Sequence, residues 1–228
     1  MTLAELPEPK AVVFDLDGTL VDTVETRIRA WIEVFSEVGI RAEREHVARL
    51  IGADGKRLAR EVAEVAGKHI DDDRAESIDK RSGEIYDQMN VNPRAIAGAR
   101  PLLMALANSS LRWAIGTSSR PEQVKASVAS LKLASEPRIT DGSHVEHAKP
   151  APDLLLQAAE QLKVGPADCW YVGDSTWDML AARAAGMVGV GVAYGVASKA
   201  ELLNSGAQVV TSHRALLSDL QNRRLVAS

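Results

Sequence analysis

Two aspartates, Asp15 and Asp17, stand one residue apart directly after a short apolar run. That run, Ala11–Phe14, is typical of a buried parallel strand. Open α/β sheets bind ligands at the carboxyl ends of their strands, so both acids are candidates for a functional site. Alternatively, they solvate the strand end and hydrogen-bond the turn that Gly18 and Thr19 form. A calcium loop fits less well, because its glycine stands at the sixth position rather than the fourth and a helix precedes it.

Polar residues also follow three further predicted strands at the same edge of the sheet. After the strand near 111–116 come Thr117, Ser118 and Ser119, whose hydroxyls could hold an anion where the next helix begins. Ser119 and Glu122 also form a Ser-x-x-Glu pair, which predicts a capping box for that helix. Thr117 lies outside this pair.

The second polar site is a lysine, Lys149, in a stiff, proline-rich turn before a helix. An ammonium group there could neutralise a phosphoryl oxygen and the acids around it. Taken alone, the stretch is more typical of a solvated loop lysine. The neighbouring His144 and His147 are interpreted as loop or surface histidines.

The third polar site joins a strand, Gly173 and two acids four residues apart, Asp174 and Asp178. That spacing places both acids on one side of the first helical turn. Helix capping by Ser175 and Asp178 is an alternative explanation for Asp178. Asp174 precedes the cap, so capping does not account for it.

The apolar periodicity divides the chain into two parts. Residues 22–90 read as amphipathic helices with no convincing strand. From residue 100 onward, helices alternate with short apolar strands, which predicts an α/β fold with a parallel sheet covered by helices on both faces. The helical segment 21–92 is then an insert after the first strand and a candidate lid over the strand ends.

The composition is that of an ordinary globular chain, with 46% hydrophobic and 25% charged residues among 228. A net charge of −4 gives no electrostatic case for nucleic acid or an anionic membrane. No apolar run could cross a bilayer, and the first residues do not form a secretory signal. The single cysteine, Cys169, suits a reducing, cytoplasmic environment, and its place in a predicted strand favours a buried structural thiol.

Taken in order, these residues resemble the four motifs of the haloacid dehalogenase (HAD) superfamily, which consists mostly of phosphatases. The matching positions are Asp15-x-Asp17-Gly18-Thr19, Thr117, Lys149 and Gly173-Asp174-x-x-x-Asp178. The resemblance covers nearly the whole chain. It implies a Rossmann-like core of residues 1–20 and 93–228, with a helical cap of residues 21–92, as in the phosphoglycolate phosphatase and β-phosphoglucomutase branch.

The resemblance implies that Asp15 attacks phosphorus and becomes an aspartyl phosphate. Asp17 would protonate the leaving oxygen and later deprotonate the attacking water. Mg²⁺ would be held by Asp15, the backbone carbonyl of Asp17 and Asp174, and would offset the repulsion between carboxylate and phosphate.

The remaining motif residues would act on the phosphoryl group and its neighbours. By the same resemblance, Thr117 would bind that group, and the neighbouring hydroxyl of Ser118 is a further candidate to bind it. Lys149 would balance its charge and orient Asp15. Asp178 would orient Lys149 or a water ligand of the metal.

Several activities stay open at this point. A Mg²⁺-dependent phosphatase of a small phosphate monoester, phosphoglycolate-like or a sugar phosphate, is favoured over a β-phosphoglucomutase-like mutase, which shares the motifs. Dehalogenases lack the second acid, present here as Asp17. Phosphonoacetaldehyde hydrolases use a cap lysine, for which Lys56 is the candidate, although a surface lysine is the commoner interpretation. A non-catalytic binding protein is disfavoured by the intact motifs.

Substrate choice is predicted to lie in the cap. The charged turn 51–57 is expected to approach the site, with Lys56 or Arg57 available to bind an acidic substrate group. We therefore expect a small phosphorylated metabolite as the partner, and neither nucleic acid nor membrane. The oligomeric state is not predicted.

Overall fold

The computed structural model describes residues 1–142 and 145–227, and this part of the chain contains one sheet of six parallel strands. The strands are β1 (Ala11–Phe14), β2 (Arg112–Thr117), β3 (Ile139–Asp141), β4 (Cys169–Gly173), β5 (Val188–Val192) and β6 (Val209–Thr211). Their spatial order is β3-β2-β1-β4-β5-β6. The order reverses between β1 and β4, which places the ligand crevice of such a sheet beside the carboxyl end of β1.

The helices of the described residues fall into an inserted group of four and a group of six that follows. They are α1 (Val24–Glu37), α2 (Arg44–Leu50), α3 (Gly55–Val65), α4 (Asp72–Met89), α5 (Ala99–Ala107), α6 (Pro121–Ser130), α7 (Asp153–Leu162), α8 (Thr176–Ala185), α9 (Lys199–Ser205) and α10 (His213–Asn222). The predicted α/β fold, a Rossmann-like parallel sheet with helices on both faces and helices inserted after the first strand, is confirmed.

Both faces of the sheet are covered because alternate residues of the buried strands point to opposite sides. Val12 and Phe14 of β1 pack with α5 and α10 in one apolar cluster. Ala11 and Val13 pack with α7 and α8 in another. Continuous apolar runs are what a strand needs when helices cover it on both sides.

The four inserted helices, residues 24–89, enclose a hydrophobic cluster of their own. Trp31 and Phe35 of α1 and Tyr86 of α4 are among its buried members. Asp54 begins α3 by accepting a hydrogen bond from the backbone N–H of Arg57 at 2.8 Å. We call α1–α4 the helical insert.

The strands predicted over 11–14 and near 111–116 lie within one residue of β1 and β2, but α9 was not predicted. A capping box between Ser198 and Glu201 marks its start, and this Ser-x-x-Glu signal is visible in the sequence. Cys169 is fully buried in β4, and burial raises the pKa of its thiol to about 11. His147 is exposed beside Asp153, whereas His144 lies outside the described residues.

Within residues 1–142 and 145–227, the helices are all too short or too polar to cross a lipid bilayer.

A buried histidine, His213, begins α10 and should make stability depend on pH. Its ring stacks on Tyr194, Nδ1 faces the carbonyl oxygen of Ala97 at 3.4 Å, and Nε2 has no hydrogen-bond partner among the described residues. Burial lowers the pKa of His213 from 6.5 to about 4. Unfolding therefore takes up a proton at acidic pH, because the unfolded chain binds it more tightly.

We expect His213 to lower the free energy of unfolding by up to about 1.4 kcal/mol per pH unit as the pH falls from 6.5 toward 4. Urea unfolding at several pH values should show a shallower dependence in His213→Phe than in the wild type. The exposed His69 supplies the control, since His69→Gln should keep the wild-type dependence. Parallel curves for all three proteins would contradict the assignment.

Candidate active site

The ends of three neighbouring strands bring the predicted acids and hydroxyls to one edge of the sheet. Phe14 of β1 pairs with Ile115 of β2 on one side and with Val172 of β4 on the other. The residues that follow these strands therefore meet, and the backbone N–H of Asp15 donates to the carbonyl of Val172 at 2.9 Å.

Lys149 crosses this edge and holds two of the acids. Its Nζ donates to Oδ1 of Asp15 and to Oδ1 of Asp178, each at 2.7 Å, and to the hydroxyl of Tyr171 at 3.3 Å. Lys149 is 1% exposed. Burial disfavours its charge, but Asp15 and Asp178 raise its pKa well above the usual range. Lys149 is thus a charged group of the site, and the solvated-loop alternative is wrong.

Asp178 performs two structural tasks at once. Its Oδ2 accepts from the backbone N–H of Ser175 at 3.0 Å and completes the capping box of α8. Its Oδ1 faces Lys149 and Tyr171. The predicted helix cap and the predicted contact with Lys149 are therefore both present.

Asp174 is held in a tight pocket formed by two glycines and a threonine. Thr19 donates its hydroxyl to Oδ1 of Asp174 at 2.9 Å. A Cβ on Gly18 or on Gly195 would collide with this carboxylate, so both positions need glycine. Gly18 also has φ +81°, which favours glycine independently.

The buried acids outnumber the cation that they share. Carboxylate oxygens of Asp15, Asp174 and Asp178 lie within 4.8 Å of one another, with Lys149 as their buried counter-charge. Burial raises the pKa of Asp15 to about 7. The pKa of Asp174 is raised well above its usual range by burial and by the neighbouring carboxylates of Asp178 and Asp15. A hard divalent cation fits this donor set, because it prefers carboxylate oxygens and would offset their excess charge.

The carboxylate of Asp17 contacts a different set of residues, most of them at the start of α1 or within the helical insert. Its Oδ1 accepts from the hydroxyls of Thr23 at 2.5 Å and Tyr86 at 3.1 Å. Its Oδ2 accepts from Arg27 at 3.0 Å and from Ser119 at 2.6 Å. Burial alone would raise the pKa of Asp17, but Arg27, Ser119 and Thr23 together lower it.

The hydroxyls after β2 differ from the prediction in one respect. Ser119 does not cap α6, whose cap is Arg120; its hydroxyl instead lies between Asp17 and Arg27. The predicted capping box was wrong because the buried carboxylate binds that hydroxyl.

Thr117 is buried, and the buried hydroxyl of Ser118 has no hydrogen-bond partner among the described residues. Ser118 is therefore free to donate to an anion.

A cavity of about 550 Å³ joins these strand ends to the helical insert. The turn 51–57 forms part of its wall: a Cβ on Gly52 would lie 2.9 Å from Oγ of Ser175. Beside it, Trp177 donates its indole N–H to the carbonyl of Arg49 at 3.0 Å. Lys56 also lines the cavity, but its ammonium group pairs with Glu76 at 3.3 Å.

Four contacts in this site were not predicted from sequence: those of Thr23, Arg27, Tyr86 and Tyr171 with the motif acids. Arg27 and Tyr86 lie at helical spacings that indicate only a buried helix face. No motif marks them.

The residues of the four predicted motifs thus meet at one edge of the sheet. Residues 12–192 match the family model described as "Haloacid dehalogenase-like hydrolase". The chain therefore belongs to the haloacid dehalogenase-like hydrolase family.

Similar proteins include phosphatases with different substrates. The fructose-1-phosphate phosphatase YqaB of Escherichia coli (strain K12) is 30% identical over 192 residues, covering 79% of this chain and 95% of its own. A phosphoglycolate phosphatase of Xanthomonas campestris pv. campestris (strain 8004) is 31% identical over 191 residues, covering 82% and 84%. The crystal structure of a hydrolase from Pseudomonas syringae superimposes with a TM-score of 0.86 at 32% identity, covering 94% and 97%.

Proposed function

We propose that this chain is a Mg²⁺-dependent phosphatase that hydrolyses a small phosphate monoester through an aspartyl phosphate on Asp15. One observation carries the proposal: Asp15 lines the cavity, is held by Lys149 and is grouped with Asp174 and Asp178. A nucleophile, a fixed positive charge and a set of oxygen ligands are what phosphoryl transfer needs.

In the proposed reaction, Oδ2 or Oδ1 of Asp15 attacks phosphorus, and the bond from phosphorus to the leaving oxygen breaks. Lys149 fixes the orientation of Asp15 through the 2.7 Å hydrogen bond and balances charge on the phosphoryl oxygens. Thr117 and Ser118 donate hydrogen bonds to those oxygens. The hydroxyl of Ser118, which has no hydrogen-bond partner within residues 1–142 and 145–227, supports this role.

Asp17 acts as the acid and base of the two steps. It gives a proton to the leaving oxygen as the aspartyl phosphate forms, and it takes one from the water that hydrolyses this intermediate. Asp15 and phosphate are then regenerated.

The acids would also hold the metal. We propose Asp15, Asp174 and the backbone carbonyl of Asp17 as ligands of Mg²⁺, with Asp178 supporting the site through Lys149. When bound, Mg²⁺ supplies positive charge that offsets the repulsion between carboxylate and phosphate.

We further propose that residues 21–92 form a cap domain and that residues 1–20 and 93–228 form the catalytic core. The separate apolar cluster of the helical insert supports this division. The cavity between the two parts would exclude bulk water when substrate is bound.

The test is phosphate release from a panel of small esters, with Mg²⁺ and with EDTA. The panel contains phosphoglycolate, hexose 1- and 6-phosphates, nucleotides and pyrophosphate. We expect Mg²⁺-dependent release from at least one ester and none with EDTA. Conversion of hexose 1-phosphate to hexose 6-phosphate without phosphate release would show that the protein is a mutase and not a phosphatase. If neither phosphate release nor this conversion is detected, the proposal that the protein is an enzyme is contradicted.

Within this panel we propose that hexose phosphates are better substrates than phosphoglycolate. The far wall of the cavity carries three acids, Asp54, Glu76 and Asp79. Its cations are already paired: Lys56 contacts Glu76 at 3.3 Å, and Arg120 contacts Asp79 at 2.9 Å. A substrate carboxylate would meet like charge there, whereas sugar hydroxyls can donate to these oxygens.

We expect kcat/KM for a hexose phosphate to exceed that for phosphoglycolate by roughly 10- to 100-fold. Glu76→Gln should narrow this ratio, since it frees Lys56 for a substrate carboxylate. The matched control is Glu84→Gln, on the exposed part of the same helix, which should leave the ratio unchanged. A wild-type preference for phosphoglycolate would contradict the charge argument.

A further inference from the structure

The carboxylate of Asp17 is held mainly by the helical insert rather than by the sheet that carries it. Three of its four hydrogen-bond donors are Thr23, Arg27 and Tyr86, which lie at or beyond the start of α1. The core supplies the fourth, Ser119. The position of Asp17 therefore depends on where the helical insert lies.

Arg27 is the centre of this arrangement. Its Nη2 donates to Oδ2 of Asp17 at 3.0 Å and to the hydroxyl of Ser119 at 2.6 Å. Its Nη1 donates to Oε1 of Gln123 at 3.4 Å, and its guanidinium carbon lies 3.7 Å from the centre of the Tyr86 ring. The Arg27 side chain is 15% exposed, so its charge faces Asp17 with little screening by water.

Each oxygen of Asp17 is thus fixed by a different pair of groups. Oδ1 has two hydroxyl donors, and Oδ2 has one hydroxyl and the guanidinium. Loss of Arg27 would leave Oδ2 with Ser119 alone, and Ser119 would lose the donor that orients its own hydroxyl. A buried polar network of this kind loses its geometry when one charged member is removed.

We propose that Arg27 is a positioning residue through which the helical insert fixes Asp17 for proton transfer to the leaving oxygen. This inference rests on the proposed phosphatase function. It assigns Arg27 no contact with the phosphoryl group, which Lys149, Thr117 and Ser118 would bind.

A role in proton transfer predicts a dependence on the leaving group. A sugar leaves as an alkoxide, which needs a proton as the bond to phosphorus breaks. A p-nitrophenolate is a stable anion and needs none. In the step that forms the aspartyl phosphate, a residue that orients Asp17 should therefore matter for the first kind of ester and hardly for the second.

The experiment compares kcat/KM for a hexose phosphate and for p-nitrophenyl phosphate in the wild type and in Arg27→Gln. This constant reports formation of the aspartyl phosphate and excludes its later hydrolysis, in which Asp17 also takes part. We expect a loss of about 100-fold on the hexose phosphate and of no more than about 3-fold on p-nitrophenyl phosphate. Arg27→Lys should recover part of the loss because it keeps the charge. Arg29→Gln, an exposed arginine on the same helix, should match the wild type on both esters.

A double variant separates positioning from folding. If Arg27 acts through Asp17, then Arg27→Gln should add little further loss in an Asp17→Asn background. Tyr86→Phe removes only the hydroxyl that donates to Oδ1 of Asp17 and keeps the ring. It should show the same dependence on the leaving group, with a smaller loss of activity on the hexose phosphate. If Arg27→Gln fails to fold, the comparison of the two esters is made with Tyr86→Phe instead.

Equal losses of kcat/KM on both esters would overturn the proposal, because Arg27 would then serve the fold or the phosphoryl group. A rise in KM with unchanged kcat would overturn it as well, since Arg27 would then bind the substrate. A wild type that releases phosphate from neither ester would instead contradict the proposed function.

Discussion

Asp15→Asn should lower kcat for phosphate release by roughly 10⁴-fold or more, as removal of a nucleophile does in other covalent mechanisms. The amide is a far weaker nucleophile than the carboxylate and forms no stable phosphorylated intermediate. Lys149 still has Asp178 at 2.7 Å, so the site keeps its shape. The measurement is steady-state phosphate release at saturating Mg²⁺.

The same variant should fold at least as well as the wild type when no metal is present. Burial and the neighbouring acids raise the pKa of Asp15 to about 7, which shows that its charge is unfavourable there. An amide replaces one of three crowded, buried carboxyl groups. We expect a Tm in EDTA that equals or exceeds that of the wild type.

Asp168→Asn is the control, because Asp168 is a half-exposed acid paired with Lys10 at the opposite edge of the sheet. It should keep full activity. Asp15→Asn with substantial activity would show that another group attacks phosphorus.

Lys149→Met should impair both activity and stability, unlike the change at Asp15. Removing a buried charge from its partners costs about 3–5 kcal/mol, and here it leaves Asp15 and Asp178 facing each other without a cation. Loss of the charge that faces the phosphoryl group should lower kcat by roughly 10²- to 10³-fold. Urea unfolding and phosphate release measure the two effects.

Mg²⁺ should recover part of the lost stability of Lys149→Met, since a divalent cation would supply charge to the same acids. Lys10→Met is the control, as Lys10 is exposed and pairs only at the surface. It should match the wild type in both measurements. A Lys149→Met protein as stable as the wild type in EDTA would contradict a charged cluster at this site.

The fold class and the edge of the sheet that carries the site could be predicted because both depend on local patterns. A buried strand needs a continuous apolar run, and the chain leaves that strand at a polar residue. The positions of Asp15, Asp174 and Thr117 at strand ends could therefore be predicted, because each follows an apolar run. The alternation of helix and strand then determines a parallel sheet, and a parallel sheet brings those ends to one edge.

Tertiary structure alone decided which charges meet. Lys149 and Asp15 are 134 residues apart, and Tyr86 and Asp17 are 69 residues apart. Ser119 matched a helix-capping pattern, yet its hydroxyl lies between Asp17 and Arg27. Local periodicity marks a buried helix face, but it does not specify which group of another element that face will contact.

The ion pairs of Lys56 and Arg120 with acids of α4 are also contacts that only the tertiary structure shows. The sequence indicates that Lys56 is available to a substrate, and only the packing of α3 and α6 against α4 shows that Lys56 and Arg120 are both engaged. The sequence by itself determined the chemical groups and the edge of the sheet at which they gather. The contacts among them depend on distances between elements that lie far apart in the chain, and packing sets those distances.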